Sequence, residues 1–204
     1  MADPHTLPTA DDSFVRLDAR SLKVLAHPMR SRLVGALRSA GPSTATALAA
    51  LLGTNSGATS YHLRKLAEVG LVEDTGDGEG KRRVWRAASS YTQWQPSDFD
   101  GDEDSESALN WLSRDYLRYL GERGERWLDA EPGWPAEWRD ALGINDDSVL
   151  ATAGQVSEMY AEIDAIVKRY RRVGQGNPAA RRVSVWTVMY PIDLDRAPRA
   201  KDES

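Results

Sequence analysis

The chain has 204 residues, of which 41% are hydrophobic and 28% charged, a balance that fits one or two modest globular domains. It contains no Cys and only three His, at positions 5, 27 and 62, which excludes disulfides, thiolate metal sites and cysteine nucleophiles and argues against a His-rich metal centre. The net charge of −5 hides a division: residues 13–92 carry twelve Lys/Arg against six Asp/Glu, whereas the remainder carries fourteen against twenty-five, so a basic module sits inside an acidic chain.

Residues 1–12, polar and with two Pro, are expected to be disordered. Punctuation and period then predict four short helices. Asp18 to Ala26 is the first, with Leu22 and Leu25 apolar, and His27-Pro28 opens a second with proline in its first turn. That second helix, Pro28 to Ser39, turns Met29, Leu33, Val34 and Leu37 to one face and stops at Gly41-Pro42. Ser43 or Thr44 caps a third, Ala45 to Leu52, ended by Gly53, and Thr54 or Asn55 caps a fourth, Ser56 to Val69, whose Leu63, Leu66 and Val69 point inward before Gly70. The period then changes from 3.6 to 2, so Leu71-Val72-Glu73 and Val84-Trp85-Arg86 read as strands flanking TGDGEGKRR, a solvated hairpin tip.

Helix, Gly-containing turn, helix and basic hairpin is the arrangement in which the second helix enters a DNA major groove. The outward residues of the fourth helix include Ser56, Thr59, Ser60, Tyr61, Arg64 and Lys65, hydroxyls and cations suited to base edges and phosphates. Two roles fit His62, a base contact or a half-buried wedge between helix and hairpin. Lys81, Arg82 and Arg83 form either a cationic wing over 76–83 or a merely solvated turn, and a module already this basic favours the wing.

The runs LKVLAHPMRSRLVGALRSAGPSTATALAALL and TSYHLRKLAEVGLVEDTGDGEGKRRVWRA, within about residues 18–90, resemble the ArsR-type winged helix-turn-helix transcriptional regulators. The resemblance implies a homodimeric DNA-binding domain, usually a repressor released by an effector, with Thr59, Ser60, Tyr61, His62 and Arg64 on the recognition helix and Lys81 to Arg83 on the wing. Metal-sensing members use Cys pairs or His/Asp clusters; with no Cys here, metal sensing is not inherited with the fold.

Residues 93–106, containing QPSDFDGDEDSE, are expected to be an acidic interdomain linker. Beyond them Leu109, Leu112, Tyr116, Leu117 and Leu120 follow helical spacing, as do Val156, Met159, Tyr160, Ile163, Ile166, Val167 and Tyr170, a stripe suited to pairing with another helix or a second copy. RVSVWTVMYPI, 182–192, alternates as an apolar strand. This half holds five of the seven Trp, at 111, 127, 134, 138 and 186. They either fill a core poor in Phe or line a pocket for an apolar small-molecule effector, for which Trp111, Tyr116, Trp127, Trp138, Tyr160 and Trp186 are the candidates.

The expected fold is mainly α (α+β): a winged helix-turn-helix domain over 13–92, then a helical dimerisation domain over 107–194 with a terminal β-strand, and a disordered tail over 195–204. No nucleophile motif, phosphate-binding glycine loop or metal-ligand spacing is present, so no enzyme, cofactor or metal is assigned. The chain lacks the run of about 18 to 20 apolar residues that spans a membrane, and a cytoplasmic location is expected. The expected function is that of a homodimeric repressor on double-stranded DNA; the alternative is a winged helix that binds protein instead.

Overall fold

The structure is a computed structural model that describes residues 14–78, 80, 82–195 and 197–198. The reading of 1–12 as disordered, most of the 195–204 tail and the placement of Lys81 lie outside the described residues. The elements are β1 (Phe14–Arg16), α1 (Ala19–Leu25), α2 (Pro28–Ala40), β2 (Ser43–Thr44), α3 (Ala45–Leu52), α4 (Ser56–Ala67), β3 (Val72–Asp74), β4 (Val84–Ala87), β5 (Tyr91–Gln93), α5 (Glu103–Ala130), α6 (Ala136–Ala141) and α7 (Ala153–Tyr170). The fold is mainly α, with an N-terminal winged helix and long C-terminal helices.

Local chemistry sets the helix ends. Asp18 caps α1, accepting from the Ser21 amide at 2.8 Å while the Ser21 hydroxyl accepts from the Asp18 amide at 2.9 Å, a reciprocal capping box. His27 caps α2 through Nδ1, which accepts from the Met29 amide at 3.1 Å ahead of Pro28. Thr44 rather than Ser43 caps α3, and Asn55 rather than Thr54 caps α4, accepting from the Ala58 amide at 2.8 Å. Between α3 and α4 the chain turns at Gly53, whose φ of +64° suits a residue without Cβ. The helix α4 ends at Ala67, two residues before the expected Val69, in a turn closed by Gly70.

The wing is antiparallel: β3 pairs β4 with Val72 opposite Ala87 and Asp74 opposite Trp85, and the short β2 adds to the other edge of β4. A second, parallel pair joins β1 to β5, Phe14 facing Tyr91. Neither β2 nor β1–β5 is visible as a strand pattern, each being three residues or fewer. Leu22, Leu25, Leu33, Leu37, Leu63 and Leu66 form the centre of the core, closed below by Trp85.

The linker reading of 93–106 is corrected. Gln93 is in β5 and accepts from the Leu17 amide at 2.8 Å, a 3-10 turn over Pro96–Phe99 drives Phe99 into the core at 3% exposure, and Ser105 is buried. The acidic run is held because the basic module neutralises it: Arg16 pairs with Asp98 at 2.6 Å and Lys23 with Asp102 at 3.0 Å. Such exposed pairs are worth only about 0 to 1 kcal/mol each, so Phe99 supplies the anchor and the ion pairs permit the approach.

Following directly, α5 lays its first turns on α1, burying Leu112 completely. Asp115, 3% exposed, fixes the helix to α2 by accepting from the Ser31 hydroxyl at 3.0 Å and, bidentately, from the Arg32 guanidinium at 2.9 and 3.2 Å. The other side of Arg32 stacks on Tyr119, 4.1 Å from the ring centroid. At about 1.5 Å per residue this 28-residue helix is about 42 Å long, so its second half runs beyond the core.

The expected strand over 182–192 is also corrected: these residues form no strand and belong to no sheet, and all are exposed. A strand needs a ladder partner for its amides and carbonyls, and the chain brings none to it. The segment is instead tethered by Arg182, which donates to the Ser39 carbonyl, and by Trp186, whose ring meets Tyr116 and Tyr119 edge-on at 6.5 and 6.3 Å. Helix α7 has its expected stripe but buries no residue fully.

Candidate nucleic-acid interface

The helix α4 crosses the molecule with Leu63 and Leu66 in the core, which decides what its other faces offer. Ser56, Tyr61 and Arg64 are exposed, Tyr61 to 53%, and Ser60 and Lys65 are half-buried. Thr59 is the exception among the expected contacts. It is fully buried, and its hydroxyl donates to the Asn55 carbonyl at 2.9 Å, so it belongs to the core and not to the outward face. The signal was in the spacing, since Thr59, Leu63 and Leu66 fall at i, i+4 and i+7.

His62 is half-buried at the junction of α4 with α2 rather than with the hairpin. Its ring lies 4.6 Å from that of His27 and 5.3 Å from that of Tyr61, and its Nδ1 is buried without a hydrogen-bond partner. Desolvation, followed by the nearby Arg30 charge, holds the pKa of both His27 and His62 below the ordinary histidine value. Both rings are therefore neutral at physiological pH. Arg30 is itself half-buried, its guanidinium pKa lowered by burial.

The cations of the module divide by partner. Arg16, Lys23, Arg32, Lys65, Arg83 and Arg86 each have a carboxylate, Lys65 with Glu68 at 2.9 Å and Arg83 with Asp74 at 3.4 Å. Arg38 donates to the Ser89 carbonyl and hydroxyl at 3.0 and 3.2 Å; its burial beside Tyr116 pushes its pKa down to about 10, which leaves it charged at neutral pH. Among the described residues no ion pair engages Arg20, Arg30, Arg64 or Arg82. Arg82 and Arg83 are both exposed near the hairpin tip, so two of the three expected wing cations are free to meet a polyanion or held only by a solvated pair.

Residues 25–75, from the end of α1 through β3, match a family model described as "Helix-turn-helix domain". The match spans about a quarter of the chain. Within the matched span α3 and α4 stand as the consecutive helices of such a motif, α4 in the place of its second helix.

Solved structures similar to the chain include a homodimeric winged helix-turn-helix DNA-binding domain from Mycobacterium bovis, described as a possible ArsR-family transcriptional regulator. It is 24% identical, covering 51% of this chain and 77% of that one with a TM-score of 0.32. A second, described as a possible transcriptional regulator for arsenical resistance, is 28% identical over 54% of this chain and 94% of that one, with a TM-score of 0.30. No curated protein matches the chain.

The six aromatic residues expected to line one effector pocket are not brought together. Trp111 and Tyr116 pack on the helix-turn-helix core, with Trp186 against Tyr116. Tyr160 borders a cleft of about 300 Å³ with Phe14, Gln93 and Trp94. Trp127, in the far half of α5, and Trp138, in α6, each meet Trp134 edge-on, at 5.4 and 5.8 Å. Tyr116 and Trp127 are separated by about 16 Å of helix rise, too far for one small ligand to touch both ends. Among the described residues no His/Asp/Glu group is placed to hold a metal, and no helix is long and apolar enough to cross a membrane.

Proposed function

We propose that this chain is a sequence-specific DNA-binding transcriptional regulator, acting as a homodimeric repressor rather than an enzyme, with α4 in the major groove of a two-fold operator and the 76–83 wing along the adjacent backbone. One observation carries the reading: the outward face of α4 presents Ser56, Ser60, Tyr61 and an Arg64 with no carboxylate partner among the described residues. Arg64 is free to hydrogen-bond a guanine edge bidentately, and the hydroxyls suit base edges or phosphates. Lys65, Arg82, Arg83 and Lys81 supply sequence-independent attraction, and His62 acts from the flank of the helix as a spacer.

A homodimer is supported by what the C-terminal half leaves uncovered. Val185 is 62% and Tyr190 73% exposed in an uncharged stretch, and Ile166 and Tyr170 of α7 are at least half exposed. A second copy covering them holds two recognition helices about 34 Å apart, one turn of DNA. The reading includes no pocket-bound effector.

The test is retention of labelled genomic fragments over a series of salt concentrations. Selective retention whose affinity falls steeply with salt is the expected result. No retention even at low salt refutes it and favours a winged helix that binds protein.

A further inference from the structure

We propose that Arg30, on the first turn of α2, is a ligand for a DNA backbone phosphate, so that the interface extends from the recognition helix onto α2. The inference rests on the DNA-binding reading above.

The argument starts from an unmet requirement. The Arg30 Nε is buried and has no hydrogen-bond partner, and no carboxylate among the described residues pairs with its guanidinium. A buried donor left unmade costs about 1 to 3 kcal/mol, more when charged; the Nε itself is enclosed, so a ligand would be met by the part of this half-buried side chain that remains accessible. The surroundings then say which ligand. Arg30 acts electrostatically on His27, His62 and Tyr61. His27 accepts the Met29 amide on Nδ1 and so carries its own proton on Nε2, and both rings are neutral, so the guanidinium is the charge of this cluster and no carboxylate among the described residues balances it. The Tyr61 ring sits against His62 at 5.3 Å and is half exposed, so its hydroxyl is a second donor on the same side. A single cation with a neighbouring neutral donor at a rim is the chemistry of a phosphodiester oxygen.

Placement agrees. At about 100° per residue, Tyr61 lies at the centre of the outward face of α4, with Arg64 about 60° to one side and His62 about 100° to the other. Arg30 lies on α2 and interacts electrostatically with His62 and Tyr61, so the proposal puts a second unpaired cation beside α4, supplied by α2 rather than by α4 itself. A helix in a major groove meets a phosphate wall on each side. The histidine stack fixes the spacing by holding the first turn of α2 to the middle of α4.

The experiment uses the full chain and a labelled duplex of about 30 base pairs cut from a retained genomic fragment, with anisotropy read over a KCl series and thermal melting in parallel. Arg30→Ala is expected to weaken retained and unrelated duplexes alike, by about tenfold, and to lower the salt slope by about 1. Arg30→Lys restores the slope, because it keeps the charge. Melting temperature is unchanged or higher in Arg30→Met, since an unpartnered buried donor is removed. Unchanged affinity and slope in Arg30→Ala, with wild type binding and Arg64→Ala weakened, overturns the phosphate role alone. A drop in melting temperature in both Arg30→Met and Arg30→Lys overturns it too, by making Arg30 structural. Absence of binding by wild type refutes the DNA reading itself.

Discussion

Asp115 is the residue whose removal tests the architecture most directly. Its carboxylate is 3% exposed and accepts from Ser31 and from both terminal nitrogens of Arg32, while Arg118 approaches at 3.3 Å. Breaking a buried pair by deleting one partner costs about 3 to 5 kcal/mol, because a charge is stranded. Here the stranded Arg32 keeps 20% of its side chain in solvent and its stack on Tyr119, so part of the cost is relieved and about 2 to 3 kcal/mol is expected for Asp115→Ala. For a chain of this size that lowers the melting temperature by about 5 to 10 °C. Replacing both partners, Arg32→Met with Asp115→Leu, removes the charge and the unmade bond together and recovers most of the loss. Urea unfolding followed by tryptophan fluorescence reads both variants. A loss under about 0.5 kcal/mol for Asp115→Ala, the range of an ordinary surface substitution, refutes the claim that this carboxylate locks α5 to α2.

Other outcomes follow from the same geometry. Arg64→Ala weakens the preferred duplex by about 1 to 3 kcal/mol and relaxes selectivity, whereas Arg82→Ala weakens all duplexes equally and flattens the salt dependence, as titrations of matched and scrambled DNA will show. Phe99→Ala lowers stability by about 3 to 5 kcal/mol in chemical denaturation, a cost that a solvated linker residue never carries. Asn55→Ala costs about 1 kcal/mol and frays the start of α4, visible as faster amide exchange there. For pH the sign is set by histidines whose folded pKa is depressed: the unfolded chain binds more protons, so stability falls as pH drops from 7 through the ordinary histidine value near 6.5. His27→Asn, which keeps an N-cap acceptor, flattens that acid-side decline in melting temperature.

What could be read from sequence was what the chain decides locally. A cap and a stripe lie within a dozen residues of each other, so α1 to α4 and the β3–β4 wing were visible from Asp18, His27-Pro28, Gly53 and the change of period at Leu71. The site is legible to the same depth: Tyr61 and Arg64 emerge on the outward face, while Thr59, whose hydroxyl suggests an outward contact, is buried by its register with Leu63. Nothing local distinguishes a cation lacking a partner, such as Arg30, from one that finds it far along the chain, as Arg32 finds Asp115. The 93–106 run failed for the same reason. Its acidic residues look solvated until Arg16 and Lys23 arrive from the other end of the module.

The terminal segment fails in the opposite sense, and the contrast bears on the assembly. The pattern of Val183, Val185, Thr187 and Met189 is that of a strand, yet the chain offers it no ladder and leaves Val185 62% exposed. Alternation predicts what a segment is able to form, and pairing depends on an edge that one copy does not bring to it. In the proposed homodimer a second copy supplies that edge or covers it. Asp115 ties α5 to α2, and α2 contacts α4, so the first half of α5 is packed onto the helices of the N-terminal domain. In the proposed homodimer, the separation of two α4 helices therefore depends on where the far half of α5, α7 and the terminal segment meet a second copy.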